Sequence, residues 1–127
     1  MKMKAQQYLS QGYSICNALI ENAEISTTEG PALSISLKLP NGGGSISNCM
    51  GHLDAENKDI LGWEHGMSVI FHLMKVAGVT TWSGLRKQPV RAVVKDKRIY
   101  AIGHFLYDDF VDYRMYPSTD NGGDVTV

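Results

Sequence analysis

The chain has 127 residues, 43% of them hydrophobic and 20% charged, and its 12 Lys and Arg nearly balance its 13 Asp and Glu. This length predicts one domain. The near-neutral charge argues against a DNA- or RNA-coating protein, which normally carries a basic excess. We therefore expect no DNA or RNA partner. No apolar run approaches the ~18 residues of a membrane span, so we expect no membrane partner either.

The cellular compartment is predicted from the start of the chain and from its cysteines. The first residues are basic but no apolar segment follows them, so we expect no signal peptide. Cys16 and Cys49 are the two cysteines, which is typical of a reducing cytosol rather than of a disulfide scaffold. The expected location is therefore cytoplasmic.

Both ends of the chain are polar. Residues 1–12 end in Gly12 and predict a flexible N-terminal arm. Residues 117–127 are rich in turn formers and nearly free of large apolar side chains, which predicts a disordered tail. A single domain is expected over residues 13–116.

The first ordered block is predicted to be β-structure. Apolar and polar side chains alternate over residues 33–39, as in a strand with one buried face. Residues 40–44 supply a glycine-rich turn, and residues 45–50 the partner strand. Residues 13–26 predict one bent strand or two, with a bulge because the apolar phase changes part-way.

A helix is predicted after a polar connection over residues 51–59. Apolar residues recur at three- and four-residue steps from Trp63 to Ala77, which indicates one buried helix face. Gly78 lies where a left-handed residue would end this helix. Residues 80–85 predict a capped single turn.

The C-terminal part predicts two strands, over residues 90–94 and 99–105, and a last helical turn over residues 107–113. The element order is then β-β-β-α-β-β. We therefore expect an α+β domain with an antiparallel sheet and one main helix packed on it.

The histidines do not predict a metal site. His65 and His72 lie two helical turns apart, about 10.5 Å, which is too far for one ion with bonds of about 2 Å. His52 and His104 have no partner at ligand spacing. We expect no metal and no cofactor.

Catalytic motifs are equally absent from the sequence. There is no G-x-S-x-G elbow, and neither cysteine lies in a recognised catalytic context. Residues 108–112 contain three aspartates, which we interpret as a solvated turn rather than a general-acid pair. Residues 41–44 lack the lysine and Ser/Thr of a phosphate loop, so we interpret them as a hairpin turn. The sequence thus predicts that the protein is not an enzyme.

Basic and aromatic residues crowd together in the C-terminal third. They are Trp82, Arg86, Lys87, Arg91, Lys95, Lys97, Arg98, Tyr100, Phe105, Tyr107, Phe110, Tyr113, Arg114 and Tyr116. Guanidinium groups fork onto phosphates and aromatic faces stack on nucleobases, so the mixture suits a small anionic nucleotide. The alternative is that the aromatics form the core and the cations lie on solvated strand faces.

Three stretches carry a resemblance to a known family. Residues 66–85 read GMSVIFHLMKVAGVTTWSGL, residues 90–92 read VRA, and residues 102–110 read IGHFLYDDF. Over residues 62–114 this pattern resembles small phage proteins that include the sponges of the first Thoeris anti-defence type. The resemblance implies binding and sequestration, without cleavage, of the cyclic ADP-ribose isomers made by bacterial TIR enzymes. For some members it also implies binding of the cyclic oligonucleotides of CBASS signalling.

The predicted function is therefore that of a phage anti-defence sponge in the bacterial host cytoplasm. A small domain with one main helix suggests no internal cleft, so we expect a homo-oligomer, a dimer or a hexamer, with the ligand between protomers. The candidate binding residues are three arginines for phosphate and three aromatics for base or ribose: Arg91, Arg98, Arg114, Phe105, Phe110 and Tyr113. The alternative function is a non-enzymatic, protein-binding inhibitor of a host defence enzyme, with the aromatic surface as its contact patch.

Overall fold

The computed structural model of the protein describes residues 3–28 and 30–115. In chain order its helices and strands are α1 (Ala5–Ser10), β1 (Ser14–Ser26), β2 (Ala32–Leu39), β3 (Gly42–Cys49), β4 (Gly51–Asp54), β5 (Asp59–Gly62), α2 (Glu64–Ala77), β6 (Pro89–Lys95), β7 (Arg98–Gly103) and β8 (Phe110–Asp112). Two short 3-10 turns lie at Trp82–Leu85 and Tyr113–Met115. The predicted α+β class, with one main helix and antiparallel strands, is confirmed.

One sheet organises the domain. Its six strands are ordered β3-β2-β1-β6-β7-β8, and every neighbouring pair is antiparallel. β1 is a single long strand that pairs with β6 through its first half and with β2 through its second. The predicted bulge is present, between Ile20 and Asn22. β4 and β5 form a separate two-stranded hairpin.

The sheet curls around its hydrophobic core, and α2 packs into that core. The buried strand face predicted from the alternation over residues 33–39 is present, since Leu33, Ile35 and Leu37 are fully buried. The buried side of α2 contributes a row of apolar side chains to the same core. Gly78 ends α2 in the left-handed conformation, with φ of +74°, as the sequence predicts. The curl brings Cα atoms of β3 to within 8 Å of Cα atoms of β7.

The N-terminal segment differs from the flexible arm that the sequence predicts. Residues 5–10 form α1, and Tyr8 at its centre is fully buried. Its ring contacts the rings of Tyr13 and Phe110 at centroid distances of 5.7 and 5.3 Å. One buried aromatic side chain therefore docks a segment whose other residues are mostly polar. The tail predicted over residues 117–127 lies outside the described residues.

The connection predicted over residues 51–59 is instead the first part of the β4–β5 hairpin. Asp54 holds the tip of this hairpin, since its carboxylate accepts hydrogen bonds from the backbone amides of Glu56 and Asn57. The hairpin therefore adds two strands to the predicted element order.

The helical turn predicted over residues 107–113 is also wrong in part, because this segment contains β8. β8 pairs with β7 at the edge of the sheet. The strand forms because Phe110, Val111 and Asp112 are all buried, the aspartate included. The aspartates of this region are therefore not one solvated turn.

Candidate ligand-binding site

Arg91 is the first of the predicted phosphate-binding residues, and it holds a loop of its own chain. Its Nε donates to the His104 carbonyl oxygen at 2.8 Å and its Nη2 donates to the Tyr107 carbonyl oxygen at 2.7 Å. The guanidinium also lies over the Phe110 ring, 4.9 Å from its centroid. These contacts fix the path of the chain between β7 and β8 and occupy two of the three guanidinium nitrogens.

Arg114 is likewise engaged within the chain. Its Nη2 and Nε donate to the two carboxylate oxygens of Asp112 at 2.7 and 2.9 Å, and its Nη1 donates to the Tyr13 hydroxyl at 2.6 Å. The hydrogen bonds to Asp112 raise the pKa of Arg114 above its ordinary value. Asp112 is buried and also accepts a hydrogen bond from the Tyr8 hydroxyl at 2.9 Å. Arg114 therefore neutralises a buried carboxylate.

Two of the three predicted aromatic contacts belong to the core. Phe110 is 2% exposed and Tyr113 is 6% exposed. A Cβ atom on Gly103 would come within 2.3 Å of the Phe110 ring, so this pair requires glycine. Neither ring presents a face to solvent on which a base could stack.

Phe105 is more accessible, at 39% exposed, and lies in the loop of residues 104–109. At the start of the loop, His104 Nδ1 accepts hydrogen bonds from the backbone amides two and three residues further on, at 2.9 and 3.0 Å. At its end, Asp109 Oδ1 lies 2.9 Å from Nε2 of His72 on α2. The loop is therefore held at both ends while its apolar side chains face solvent.

Arg98, the remaining predicted arginine, lines a cavity formed by described residues. It begins β7, next to the turn residue Lys97, and both line a cleft of about 460 Å³. This seam cleft, as we call it, lies between β3 and the first half of β7. Its lining residues are Leu39, Gly43, Gly44, Ser45, Ile46, Ser47, Lys97, Arg98, Ile99 and Tyr100.

The backbone of β3 presents polar groups to the seam cleft. The Met50 amide donates to the Pro31 carbonyl oxygen, so residue 50 directs its backbone toward β2. The β2–β3 register is regular, and alternate residues of a strand direct their backbone polar groups to opposite sides. Gly43, Ser45 and Ser47 therefore face away from β2, which is the only neighbour of β3 among the described strands. Their N–H and C=O groups are directed into the cleft.

The opposite wall of the cleft is the start of β7. Asp96 and Lys97 both have positive φ, 52° and 65°, and form a two-residue hairpin turn between β6 and β7. Lys95 and Arg98 flank the turn as a hydrogen-bonded pair, so in the next pair, Val94 and Ile99, the Ile99 backbone is directed away from β6. Within the described sheet, β8 pairs only with the second half of β7, so this backbone faces β3. Gly44 admits the Ile99 side chain, since a Cβ there would lie 2.9 Å from Ile99 Cδ1.

A second cavity, of about 570 Å³, adjoins the seam cleft at the open end of the curled sheet. We call it the mouth cavity, and its lining residues are Ser14, Cys16, Leu39, Pro40, Asn41, Gly42, Gly43, Val94 and Lys97. Leu39, Gly43 and Lys97 line both cavities. Burial raises the pKa of the Cys16 thiol, which keeps that thiol neutral and weakly nucleophilic.

The chemistry of the two cavities is that of a donor-rich site. None of the described residues lining either cavity carries a carboxylate or an imidazole. The polar groups are backbone amides and carbonyls, hydroxyl groups, one side-chain amide, a thiol and the cations Lys97 and Arg98. Across the described part of the chain, no three His, Cys, Asp or Glu side chains are placed to hold a metal ion.

The sequence predicts Arg98 as a site residue but not the residues around it. Ser45, Ser47 and Lys97 reach the same cleft only because the sheet curls and brings β3 near β7. The sequence holds a partial signal for this proximity. Because neighbouring strands are antiparallel, the glycine-rich turn at residues 40–44 and the basic turn at residues 95–98 lie at the same end of the sheet.

Comparison with known proteins finds no matching family model, no matching curated protein and no matching solved structure. Of the helices in the described residues, none has the length and apolar character needed to cross a membrane. Function is therefore inferred from the geometry of the cavities together with the sequence resemblance.

Proposed function

We propose that the protein binds a small cyclic nucleotide messenger in the seam cleft and sequesters it without cleaving it. The observation that carries the proposal is the lining of the cleft. There Lys97 and Arg98 lie opposite β3, which contributes serine hydroxyl groups and backbone groups that face away from β2. Phosphate oxygens accept hydrogen bonds from all of these donors, and such charge-assisted bonds are among the strongest in proteins. The two cations face no carboxylate among the described lining residues, which favours an anionic ligand.

The size of the cleft supports a ligand of this class. Small-molecule sites are typically clefts of about 300–1,000 Å³, and the seam cleft lies within that range at about 460 Å³. A sponge must hold a scarce messenger tightly, and a Kd of about 1 nM corresponds to about −12 kcal/mol. Two cationic side chains and several preformed backbone donors can supply much of the specific part of that affinity.

Sequestration without cleavage is the second part of the proposal. Hydrolysis of a phosphodiester or a glycosidic bond normally uses a general acid and base, or a metal-bound water. The described residues that line the two cavities include no Asp, Glu or His to perform such proton transfer. The cyclic ADP-ribose isomers or cyclic oligonucleotides implied by the sequence resemblance are the ligands we propose.

The proposed site keeps one of the three predicted arginines. Arg98 stays in the site, while Arg91 and Arg114 become supports of the fold, because their guanidinium groups already bind oxygens of the same chain. The site lies within one chain, so it does not depend on the predicted homo-oligomer.

The aromatic contact of the proposed site differs from the predicted ones. Tyr100 lines the seam cleft, and its ring contacts the Tyr13 ring at a centroid distance of 5.3 Å. The Arg114 guanidinium also lies over this ring, 4.9 Å from its centroid. The buried Phe110 and Tyr113 are not part of the proposed site, and Phe105 lines neither the seam cleft nor the mouth cavity.

The experiment is incubation of the purified protein with cyclic ADP-ribose isomers and with cyclic oligonucleotides, followed by removal of free ligand and heat release. Recovery of intact ligand supports the proposal, and recovery of altered ligand contradicts it in favour of an enzyme. Arg98→Ala should raise the Kd, measured by calorimetry, at least about tenfold, because one charge-assisted hydrogen bond contributes about 1.5–3 kcal/mol. Arg86→Ala is the matched control, since Arg86 is exposed and lines neither cavity.

A second candidate function is binding to another protein, and exposed apolar side chains favour it. Leu106 and Tyr107 in the loop of residues 104–109 are 73% and 67% exposed, and Phe71 on α2 is 60% exposed. Exposed apolar residues commonly mark contact surfaces where they are contiguous, as Leu106 and Tyr107 are in the chain. Uptake of no messenger would favour an inhibitor of a host enzyme. The predicted homo-oligomer, a dimer or a hexamer, stays a prediction, which light scattering tests.

A further inference from the structure

We propose that the seam cleft and the mouth cavity form one bipartite nucleotide site, in which phosphates lie in the cleft and a base enters the mouth. This inference rests on the proposed function and adds the orientation of the ligand. It also states which part of the ligand each half of the site recognises. The two halves differ in chemistry, and one lysine lies between them.

The lining of the mouth cavity is more apolar than that of the seam cleft. Its walls include Cys16, Leu39, Pro40 and Val94, whose side chains expose mainly carbon and sulfur. Cys16 lies on the same side of β1 as the buried Ala18, so the cavity opens toward the apolar interior of the curled sheet. The mouths of curled and closed sheets are common places for flat, largely apolar ligand groups.

The two cavities are continuous through the residues that line both. Leu39 and Gly43 form the shared wall on the β2–β3 side, and Lys97 forms it on the β6–β7 side. Gly43 has no side chain, which leaves the passage open at that point. A ligand that occupies both cavities must pass Lys97, so the Lys97 ammonium group is placed to contact its phosphates.

A peptide strand is a poorer fit for the same space. Adjacent strands are about 4.8 Å apart, so a strand inserted between β3 and β7 would need about 9.6 Å between them. Cα atoms of the two strands approach to within 8 Å at their nearest positions, so a gap wide enough for a strand does not run along their whole length. A compact ligand with a polar part and a flat part fits the two cavities better.

The chain carries its own reporter for this orientation. Cys16 lines the mouth cavity, whereas Cys49 is exposed at the far end of β3, where its thiol donates to the Gly51 carbonyl oxygen at 3.2 Å. Both thiols can be alkylated in the same full-length sample and quantified separately by peptide mass spectrometry. Cys49 is then an internal control for any general effect of the ligand.

The experiment measures the alkylation rates of both thiols with and without ligand, at about pH 8.5, because the raised pKa of Cys16 slows its reaction at lower pH. The probes are a cyclic ADP-ribose isomer, a cyclic dinucleotide and ribose 5-phosphate, with binding of each checked by calorimetry. A bound nucleotide at about 100 times its Kd should slow Cys16 alkylation about 100-fold and leave Cys49 unchanged. Ribose 5-phosphate, which has no base, should leave both rates unchanged.

The outcomes separate this inference from the proposed function. A nucleotide that binds by calorimetry while Cys16 reacts at its free rate overturns the bipartite site and leaves the proposed function standing. Equal protection of both cysteines overturns it too, because the effect would then be a general one. Binding of none of the nucleotides by calorimetry contradicts the proposed function, and the inference with it.

Discussion

Two pairs of cations in the C-terminal third of the chain have opposite roles. Arg91 and Arg114 donate to carbonyl oxygens and to a buried carboxylate of the same chain. Lys97 and Arg98 lie between these two in the sequence, yet they are exposed at a hairpin turn and line a cavity. The density of cations along a sequence therefore does not tell which of them are free to bind a ligand. What matters is which of them already have partners.

The partners explain why the two pairs cannot exchange roles. Asp112 is 2% exposed, and a buried carboxylate without its cation would carry a large desolvation cost. Arg114 therefore cannot leave Asp112 for a phosphate without cost to the fold. Arg98 neutralises no buried carboxylate of the described chain, so a ligand can recruit it.

The largest expected effect is that of Arg114→Ala. We expect a loss of about 3 kcal/mol in the free energy of unfolding, since one partner of a buried ion pair is removed while Asp112 keeps the Tyr8 hydroxyl. Arg98→Ala should stay within about 0.5 kcal/mol of the parent protein, because Arg98 is an exposed surface residue. Urea denaturation measures both variants. Equal losses would contradict the division between the two pairs.

Arg91→Ala should have the next largest effect, a loss of about 2 kcal/mol, because two charge-assisted hydrogen bonds to carbonyl oxygens disappear. Amide hydrogen exchange over residues 104–109 should become faster, while exchange in β2 should not change. Ligand affinity should stay within about twofold of the parent value. A loss of affinity with unchanged exchange would return Arg91 to the binding site.

The tyrosines Tyr8 and Tyr113 provide a matched pair with effects of opposite sign. Tyr8 donates to Asp112, whereas the buried Tyr113 hydroxyl has no hydrogen-bond partner among the described residues. Tyr8→Phe should destabilise by about 1 kcal/mol, and Tyr113→Phe should stabilise by about 1 kcal/mol, because an unpaired buried hydroxyl is removed. Thermal or urea unfolding measures both. Destabilisation by Tyr113→Phe would show that this hydroxyl has a partner after all.

The smallest expected effect is a loss of stability in alkali. Burial raises the pKa of both Tyr8 and Tyr113 above the ordinary value of 10.0. The contribution of each tyrosine to the free energy of unfolding is therefore complete below pH 10. It is lost as the pH rises, because the tyrosine ionises at a lower pH in the unfolded chain than in the folded one. We expect a loss of about 0.4 kcal/mol for each tyrosine at pH 10. Tyr113→Phe should remove the part of this loss that belongs to Tyr113. An unchanged dependence of stability on pH in that variant would contradict the raised pKa of Tyr113.

Local patterns predict much of the fold. Alternation over residues 33–39 identifies the buried face of β2, and Gly78 correctly marks the end of α2. The β4–β5 hairpin is missed because its residues are largely exposed on both sides, so no alternation marks it. β8 is missed because the aspartate in Phe110–Asp112 looks like a solvated residue. Its cation and its Tyr8 partner are identified only in the folded chain.

The candidate site is less predictable than the fold. Composition points to the C-terminal third of the chain, which contains Arg98 of the proposed site, but it gives Arg91 and Arg114 the same weight. The β3 side of the cleft comes from residues 43–47, far earlier in the chain than Arg98. The polar groups on this side belong in large part to the backbone of β3, and a side-chain motif cannot predict which backbone groups face a cleft.

The most direct test of a ligand site between β3 and β7 is a titration of the isotope-labelled protein with a cyclic ADP-ribose isomer, in which the chemical shifts of the backbone amides are followed. We expect the largest changes at Gly43, Ser45, Ser47 and Ile99, whose amides face the seam cleft. Amides of residues 104–114, around the contacts of Arg91 and Arg114, should move little. Changes concentrated in residues 104–114, with the β3 amides unmoved, would contradict binding between β3 and β7.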